Sequence, residues 1–191
     1  MNIVLNKNTA YVIGVSIGDG NLSCSNNRAV RLRITCDNKY PGIRENIIKS
    51  LKRMLPNNKV SEYVRKSNCV DVYCYSNLLE SVLGWKAKGG SKYIQKISVP
   101  SWILNNDSYI KYCLRGLIET DGSVYSDRKY TYVNFTTIIE TLKIDVVMMI
   151  NKLGYSCTTN KVMQKSGKFK FIIRVCKNSN KFIEDLKISK S

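Results

Sequence analysis

One short segment occurs twice. Leu114 to Gly122 reads LRGLIETDG and Val12 to Gly20 reads VIGVSIGDG, and setting Asp19 against Asp121 brings Gly14 onto Gly116, Val15 onto Leu117, Gly18 onto Thr120 and Gly20 onto Gly122. Two copies of an apolar, small-residue nonapeptide, about one hundred residues apart, constrain the chain to build two similar halves around them. Each copy suits the last turns of a helix. Val12, Ile13, Val15 and Ile17 give the first an apolar face from Ala10 onward, Asn8 or Thr9 suits its N-cap, and the glycine after the aspartate is the residue favoured just past a helix end. Asn106, Asp107 or Ser108 suits the N-cap of the second.

The segments between the copies repeat as well. After the first, Leu22 to Arg28 reads as a strand with a bend at Ser25-Asn26-Asn27. Val30 to Thr35 is a clearer strand, whose alternation separates Val30, Leu32 and Ile34 from Arg31, Arg33 and Thr35. Pro41 opens a helix that buries Ile43, Ile47, Ile48, Leu51, Met54 and Leu55. A hairpin from Val60 to Tyr75 turns near Ser67-Asn68, and Asn77 caps a short helix. Lys86 to Lys92, with Gly89-Gly90, reads as a linker, and Pro100 precedes a helical turn. The second half then gives a strand near Val124, one from Tyr130 to Thr136, a helix from Ile138 to Leu153, a hairpin turning at Ser166-Gly167 and a last helix, SNKFIEDLKI.

Each half is therefore helix, two strands, helix, two strands, helix. The expected fold class is α+β, a pseudo-two-fold duplication with two antiparallel sheets joined by the packed motif helices. The repeats are placed at residues 1–92 and 93–191.

Composition narrows the partner. The 31 Lys and Arg against 14 Asp and Glu give a formal charge of +17, well beyond the ~2 to 8 that keeps a small domain soluble. A polyanion is the natural ligand. No apolar run approaches the ~18 to 20 residues of a membrane span, and the basic residues are spread along the chain rather than gathered beside one amphipathic helix, so no membrane partner is expected. With Lys7 as the only basic residue near the start, a secretory signal is not expected either, and an intracellular location with DNA is. Seven cysteines without a CxxC pair read as reduced and mostly buried thiols; with no histidine a zinc site would need cysteines or carboxylates alone, and their spacing does not offer one.

The motif helices carry the chemistry. Small residues at Gly14 and Gly18, and at Gly116 and Thr120, let two helix backbones approach closely, so the two helices should pack on each other. Asp19 and Asp121 then meet where both helices end. A carboxylate at a helix C-terminus costs about 0.3 to 1 kcal/mol, and two carboxylates together also repel. A pair of divalent cations bridging carboxylates and scissile phosphates would offset this. The outward strand rows, Arg31, Arg33, Tyr73 and Tyr75 in one half and Tyr132, Asn134, Lys168, Lys170 and Arg174 in the other, suit phosphates and base edges in a DNA groove.

On these residues the chain resembles the LAGLIDADG homing endonucleases in their single-chain form with two motifs. The resemblance implies an αββαββα fold in each half and a saddle of sheets over double-stranded DNA. It also implies a monomer that cleaves both strands with magnesium, manganese substituting. Asp19 and Asp121 would be the metal-binding acids, with Gly18 and Thr120 as adjacent backbone ligands. Relatives often place a lysine late in each repeat, and Lys96 in YIQKISVP suits that position, while Lys187 and Lys190 lie near the corresponding place in the second half. Where a Gln is common at the end of the second strand, this chain has Cys36 and Thr137. The alternative is a non-cleaving maturase on the same fold that binds intron RNA.

Overall fold

The computed structural model describes residues 3–24 and 28–190. Helix α1 (Lys7–Asp19) runs directly into strand β1 (Gly20–Ser23), followed by β2 (Arg31–Asp37), α2 (Pro41–Met54), β3 (Val60–Val64), β4 (Cys69–Tyr75) and the short α3 (Leu79–Leu83). After α4 (Ser101–Leu104) the order recurs: α5 (Asp107–Asp121), β5 (Gly122–Asp127), β6 (Tyr130–Thr137), α6 (Glu140–Lys152), β7 (Cys157–Met163), β8 (Phe169–Val175) and α7 (Ser179–Leu186). The strands form two antiparallel four-stranded sheets, ordered β1-β2-β4-β3 and β5-β6-β8-β7. The architecture is α+β, with duplicated units, as expected.

Alternation decides which face of each sheet is covered. Leu32, Ile34 and Cys36 of β2, Val70, Val72 and Cys74 of β4, and Val133 and Phe135 of β6 point at the helices and are buried. All but Val70 join Ala10, Val12, Ile13, Leu114 and Leu117 in one continuous core. The opposite faces are left uncovered by helices.

Several local expectations shift. Asn6, not Asn8 or Thr9, caps α1, its Oδ1 accepting from the amides of Asn8 (2.8 Å) and Thr9 (3.2 Å). The cap of α5 is Asn106, accepting from Tyr109 N–H. Ser76 rather than Asn77 receives Leu78 N–H ahead of α3. Strand β1 is shorter than the expected Leu22–Arg28, because pairing of Gly20 to Ser23 with Ile34 to Arg31 starts at the helix end; the bend at Ser25-Asn26-Asn27 lies outside the described residues. Of the seven cysteines, all free, Cys36, Cys74 and Cys113 are buried and the other four are half-buried.

The glycines after the aspartates do not close their helices in the left-handed conformation. Gly20 (φ −78°, ψ 147°) and Gly122 (φ −84°, ψ 165°) are extended. A Cβ on Gly20 would lie 2.5 Å from Ser16 O, and one on Gly122 2.6 Å from Ile118 O. Glycine is required there because each strand leaves its helix by folding tightly across the last turn.

Candidate active site and nucleic-acid interface

The two motif helices meet backbone to backbone. A Cβ built on Gly14 would sit 2.2 Å from Cys113 O, and one on Gly116 2.7 Å from Tyr11 O. At Gly18 an added Cβ would lie 2.0 Å from Thr120 Oγ1 and 3.4 Å from the Asp121 carboxyl carbon. This approach is possible only with the small residues that the duplicated segment supplies, and it brings the C-terminal ends of α1 and α5 side by side.

Asp19 and Asp121 stand at those ends, open to solvent from the uncovered side yet surrounded by protein on the others. Desolvation by that surrounding protein raises both carboxyls above the ordinary range. For Asp121 the charge of Asp19 adds to it, and the result is about 6 against the usual 3.8, with Lys92 and then Lys190 pulling the other way. Asp19 is raised by desolvation and lowered by Lys190 first and Lys92 second.

Those two lysines complete the site. Lys92 Nζ donates to the carbonyls of Ser16 (2.8 Å), Ile17 (2.7 Å) and Gly18 (2.7 Å), at the helix end where carbonyls run out of amide partners. Burial lowers its ammonium to about 8, against the raising effects of Asp121 and then Asp19. Lys190 Nζ donates to Thr120 O (2.7 Å) and Gly122 O (2.8 Å) at the other helix end. Each lysine thus seats on its own half's helix while leaning electrostatically toward the opposite aspartate. A cavity of about 230 Å³ beside Asp19 is walled by Cys36, Thr120, Glu119 and Lys190. In it the Cys36 thiol is pushed up to about 12 by burial and then by Asp19.

Lys96 is not at this site. It lies in a left-handed turn (φ 46°), exposed, with its carbonyl accepting from Thr141 Oγ1. The stretch expected as a linker, Lys86 to Lys92, delivers Lys92, and the residues that follow it are held against α6: Asp145 accepts from Val99 N–H (2.7 Å) and Thr141 donates to Ile97 O (2.7 Å). The carbonyls of Gly18 and Thr120, expected as metal ligands, each accept a lysine ammonium in this structure and keep a second lone pair. A sequence signal for both lysines existed in the Ser-Lys dipeptide, which recurs at Ser91-Lys92 and Ser189-Lys190 with nearly the spacing of the aspartates.

The uncovered sheet faces gather most of the expected partner row. Arg31 is paired across the ladder with Tyr75, and Arg33 with Tyr73. Arg31 Nε donates to Ser23 Oγ (3.2 Å), while among the described residues Arg33 Nε is buried without a partner. Beside them Asp71 is buried on the same face. Burial alone would raise its carboxyl, but hydrogen bonds from Arg65 (2.8 Å) and Thr35 (2.8 Å), with the charges of Arg65 and Arg33, hold it below the ordinary range.

In the second sheet Arg174 is cross-paired with Asn134 and donates to its Oδ1 (3.1 Å), its guanidinium 5.3 Å from the Tyr132 ring centre. Tyr125, which period-two alternation in β5 would have flagged, stacks on Tyr132 at 5.3 Å. Lys170 is on this strand, but Lys168 precedes it in the turn, its ammonium 4.6 Å from the Tyr93 ring centre.

Residues 108–187 match the family model of the LAGLIDADG-like domain. Over 169 residues the chain is 27% identical to an ATP-dependent DNA helicase, Hel308, of Thermococcus kodakarensis, an alignment covering 85% of this chain and 14% of that protein. The chain therefore spans only a small part of that relative. Among solved structures, the homing endonuclease I-DmoI in complex with DNA and Mn superposes with a TM-score of 0.68 at 18% identity, covering 97% of each chain. The N-terminal LAGLIDADG domain of DUF199/WhiA gives 0.63 at 14% identity, covering 97% of this chain and 86% of that one. At such identities the structural matches establish the fold.

Proposed function

We infer that this protein is a LAGLIDADG endonuclease in the single-chain form with two motifs, one that is metal-dependent and cuts both strands of a long, asymmetric double-stranded DNA target; the match of residues 108–187 to the LAGLIDADG-like domain and the shared fold of I-DmoI support this reading. The observation that carries this reading is the pairing of Asp19 and Asp121. Helix dipoles, desolvation and mutual repulsion all oppose two ionised carboxylates there, and the packing of α1 on α5 imposes the arrangement nonetheless.

A divalent cation fits this donor set. The carboxylates are reachable from the uncovered face, they are crowded enough that Asp121 is raised to about 6, and the neighbouring carbonyls already attract cationic groups. Asp19 and Asp121 would hold the metal, magnesium with manganese as a substitute, and bound there it would neutralise phosphate charge and activate water. The protein itself orients the two acids through the glycine contacts of the helix pair. Lys92 and Lys190 put one ammonium beside each acid, where charge develops during hydrolysis. Arg31 and Arg33 on one face and Lys170 and Arg174 on the other suit phosphates, with the tyrosines and Asn134 toward base edges. Because the two faces carry different side chains, the target they suit is asymmetric. One chain holding both motifs, at residues 1–92 and 93–191, would act as a monomer.

The test is incubation of the purified protein and magnesium with a plasmid carrying the DNA that flanks its own reading frame. A discrete double-strand cut is expected, abolished by Asp19→Asn and by Asp121→Asn. Cleavage at an unchanged rate in the Asp121→Asn protein would refute the assignment.

A further inference from the structure

The two lysines are presented by different devices. Lys92 lies 5.6 Å from the Trp85 ring centre, and its loop is clasped by Gln95, whose amide nitrogen donates to Lys86 O (3.0 Å) and Gly90 O (2.9 Å) and whose oxygen accepts from Lys86 N–H (2.8 Å). Lys190 has no such loop. The segment after α7 is held by the motif helix itself: Glu119 Oε1 accepts from Ser189 N–H (2.9 Å), and Arg115 donates to Ser189 Oγ (3.0 Å).

Glu119 is buried and fully engaged. Its Oε1 also accepts from Arg115 Nε (2.9 Å) and its Oε2 from Tyr11 OH (2.6 Å), a hydroxyl that reaches across from α1. Burial, and then Glu119, hold the Tyr11 phenol well above its ordinary pKa, so it remains a donor. In the register of the duplicated motif, Ile17 stands where Glu119 is and Ile13 where Arg115 is. Among the described residues the clamp occurs in one half only.

We propose that Glu119, with Arg115, is a positioning residue that docks the chain at Ser189 so that Lys190 reaches the end of the second motif helix and serves the Asp19 side of the site. The inference rests on the endonuclease reading for its catalytic consequence, but its geometric part does not. Loss of the clamp frees Lys190 and leaves Lys92 in place, so the two strands of the target are affected unequally.

Two measurements test this. The first is hydrogen exchange at the Ser189 amide in the free protein, without metal or DNA. Glu119→Gln, which keeps an acceptor, preserves protection, and Glu119→Ala loses about tenfold to a hundredfold of it, as expected for removing a charge-assisted hydrogen bond. Unchanged protection in Glu119→Ala overturns the clamp whether or not the protein cuts DNA.

The second is strand-resolved cleavage of a target that the wild-type chain cuts. Because Glu119→Ala strands Arg115 and Tyr11 inside the protein, Ser189→Pro serves beside it, deleting the amide and hydroxyl of Ser189 and leaving the buried triad intact. Both variants slow one strand by about tenfold or more, leave the other near the wild-type rate, and accumulate the same nicked circle as Lys190→Met. Equal slowing of both strands, or no slowing of either, overturns the proposal. A wild-type chain that cuts nothing refutes the endonuclease reading, and the exchange measurement still decides the clamp.

Discussion

Gly14→Ala should be among the most damaging single-methyl additions the chain can receive. The added Cβ would lie 2.2 Å from Cys113 O and 3.1 Å from the carbonyl carbon, so the obstacle is helix backbone rather than a side chain that can rotate away. Restoring ordinary contact requires α1 and α5 to separate by roughly 1 Å, at the upper end of the ~1 to 3 kcal/mol typical of overpacking. Alanine returns up to about 1 kcal/mol of helix propensity, leaving a net loss of about 2 kcal/mol or more, which for a chain of this size lowers the melting temperature by about 4 to 8 °C.

Gly42 supplies the control. It lies in the first turn of α2 with nothing within 4 Å of its added Cβ, so Gly42→Ala should be neutral or raise the melting temperature by at most about 4 °C. Thermal unfolding of the two variants beside the wild type separates propensity from contact. If Gly14→Ala melts at or above the wild-type temperature, the close approach of the motif helices is wrong. The same displacement moves Asp19 relative to Asp121, so cleavage should fall by about a hundredfold even at temperatures where the variant is folded.

Three further outcomes follow from the site. In the metal-free protein Asp121 binds its proton more tightly when folded, so its contribution favours the folded state at low pH and is lost as pH rises from 3.8 to about 6; Asp121→Asn should therefore raise the melting temperature at pH 7 and flatten that part of the profile, and a drop would show that its ionised form is favoured. Lys92→Met leaves three helix-end carbonyls without their ammonium and should cost about 1 kcal/mol in thermal or denaturant unfolding, against no change if the lysine were merely a solvated surface group. Arg31→Ala should weaken DNA binding and reduce the slope of log K against log salt by about 0.9 for each phosphate the arginine neutralises; unchanged affinity and slope would remove Arg31 from the interface.

The fold was legible because its determinants are local and periodic. Alternation placed Leu32, Ile34, Val133 and Phe135 against the helices, Pro41 marked the start of α2, and the duplicated motif with its small residues implied the helix pair. What could not be read is what depends on the path of irregular chain. Sequence neighbourhood favours Lys96, but it sits in an exposed left-handed turn whose carbonyl accepts from Thr141 of α6, and Lys92, at the end of the expected linker, arrives at the helix end. Asp71 shares the outward face of Tyr73 and Tyr75 by alternation, yet nothing in the pattern shows that Arg65 and Thr35 engage its carboxylate there. The glycines after each aspartate do stand just past the helix ends, and crowding by the preceding helical turn, with an extended rather than left-handed backbone, is what demands them there.

Perturbations should accordingly separate into two kinds. Asp19 and Asp121 end two helices locked together by Gly14, Gly18 and Gly116, so a change in that contact displaces one acid relative to the other and alters a site both strands would share. The lysines reach the same floor on separate segments, one clasped by Gln95 and set against Trp85, the other docked on Glu119 and Arg115. Nothing in either device requires the other to be intact. A helix-contact variant such as Gly14→Ala should therefore slow both strands in similar proportion and yield little nicked intermediate, whereas a change at Ser189 or Gln95 should let one strand lag behind the other. The ratio of nicked to linear product, rather than the total rate, is the quantity that distinguishes damage to the shared acids from damage to one lysine.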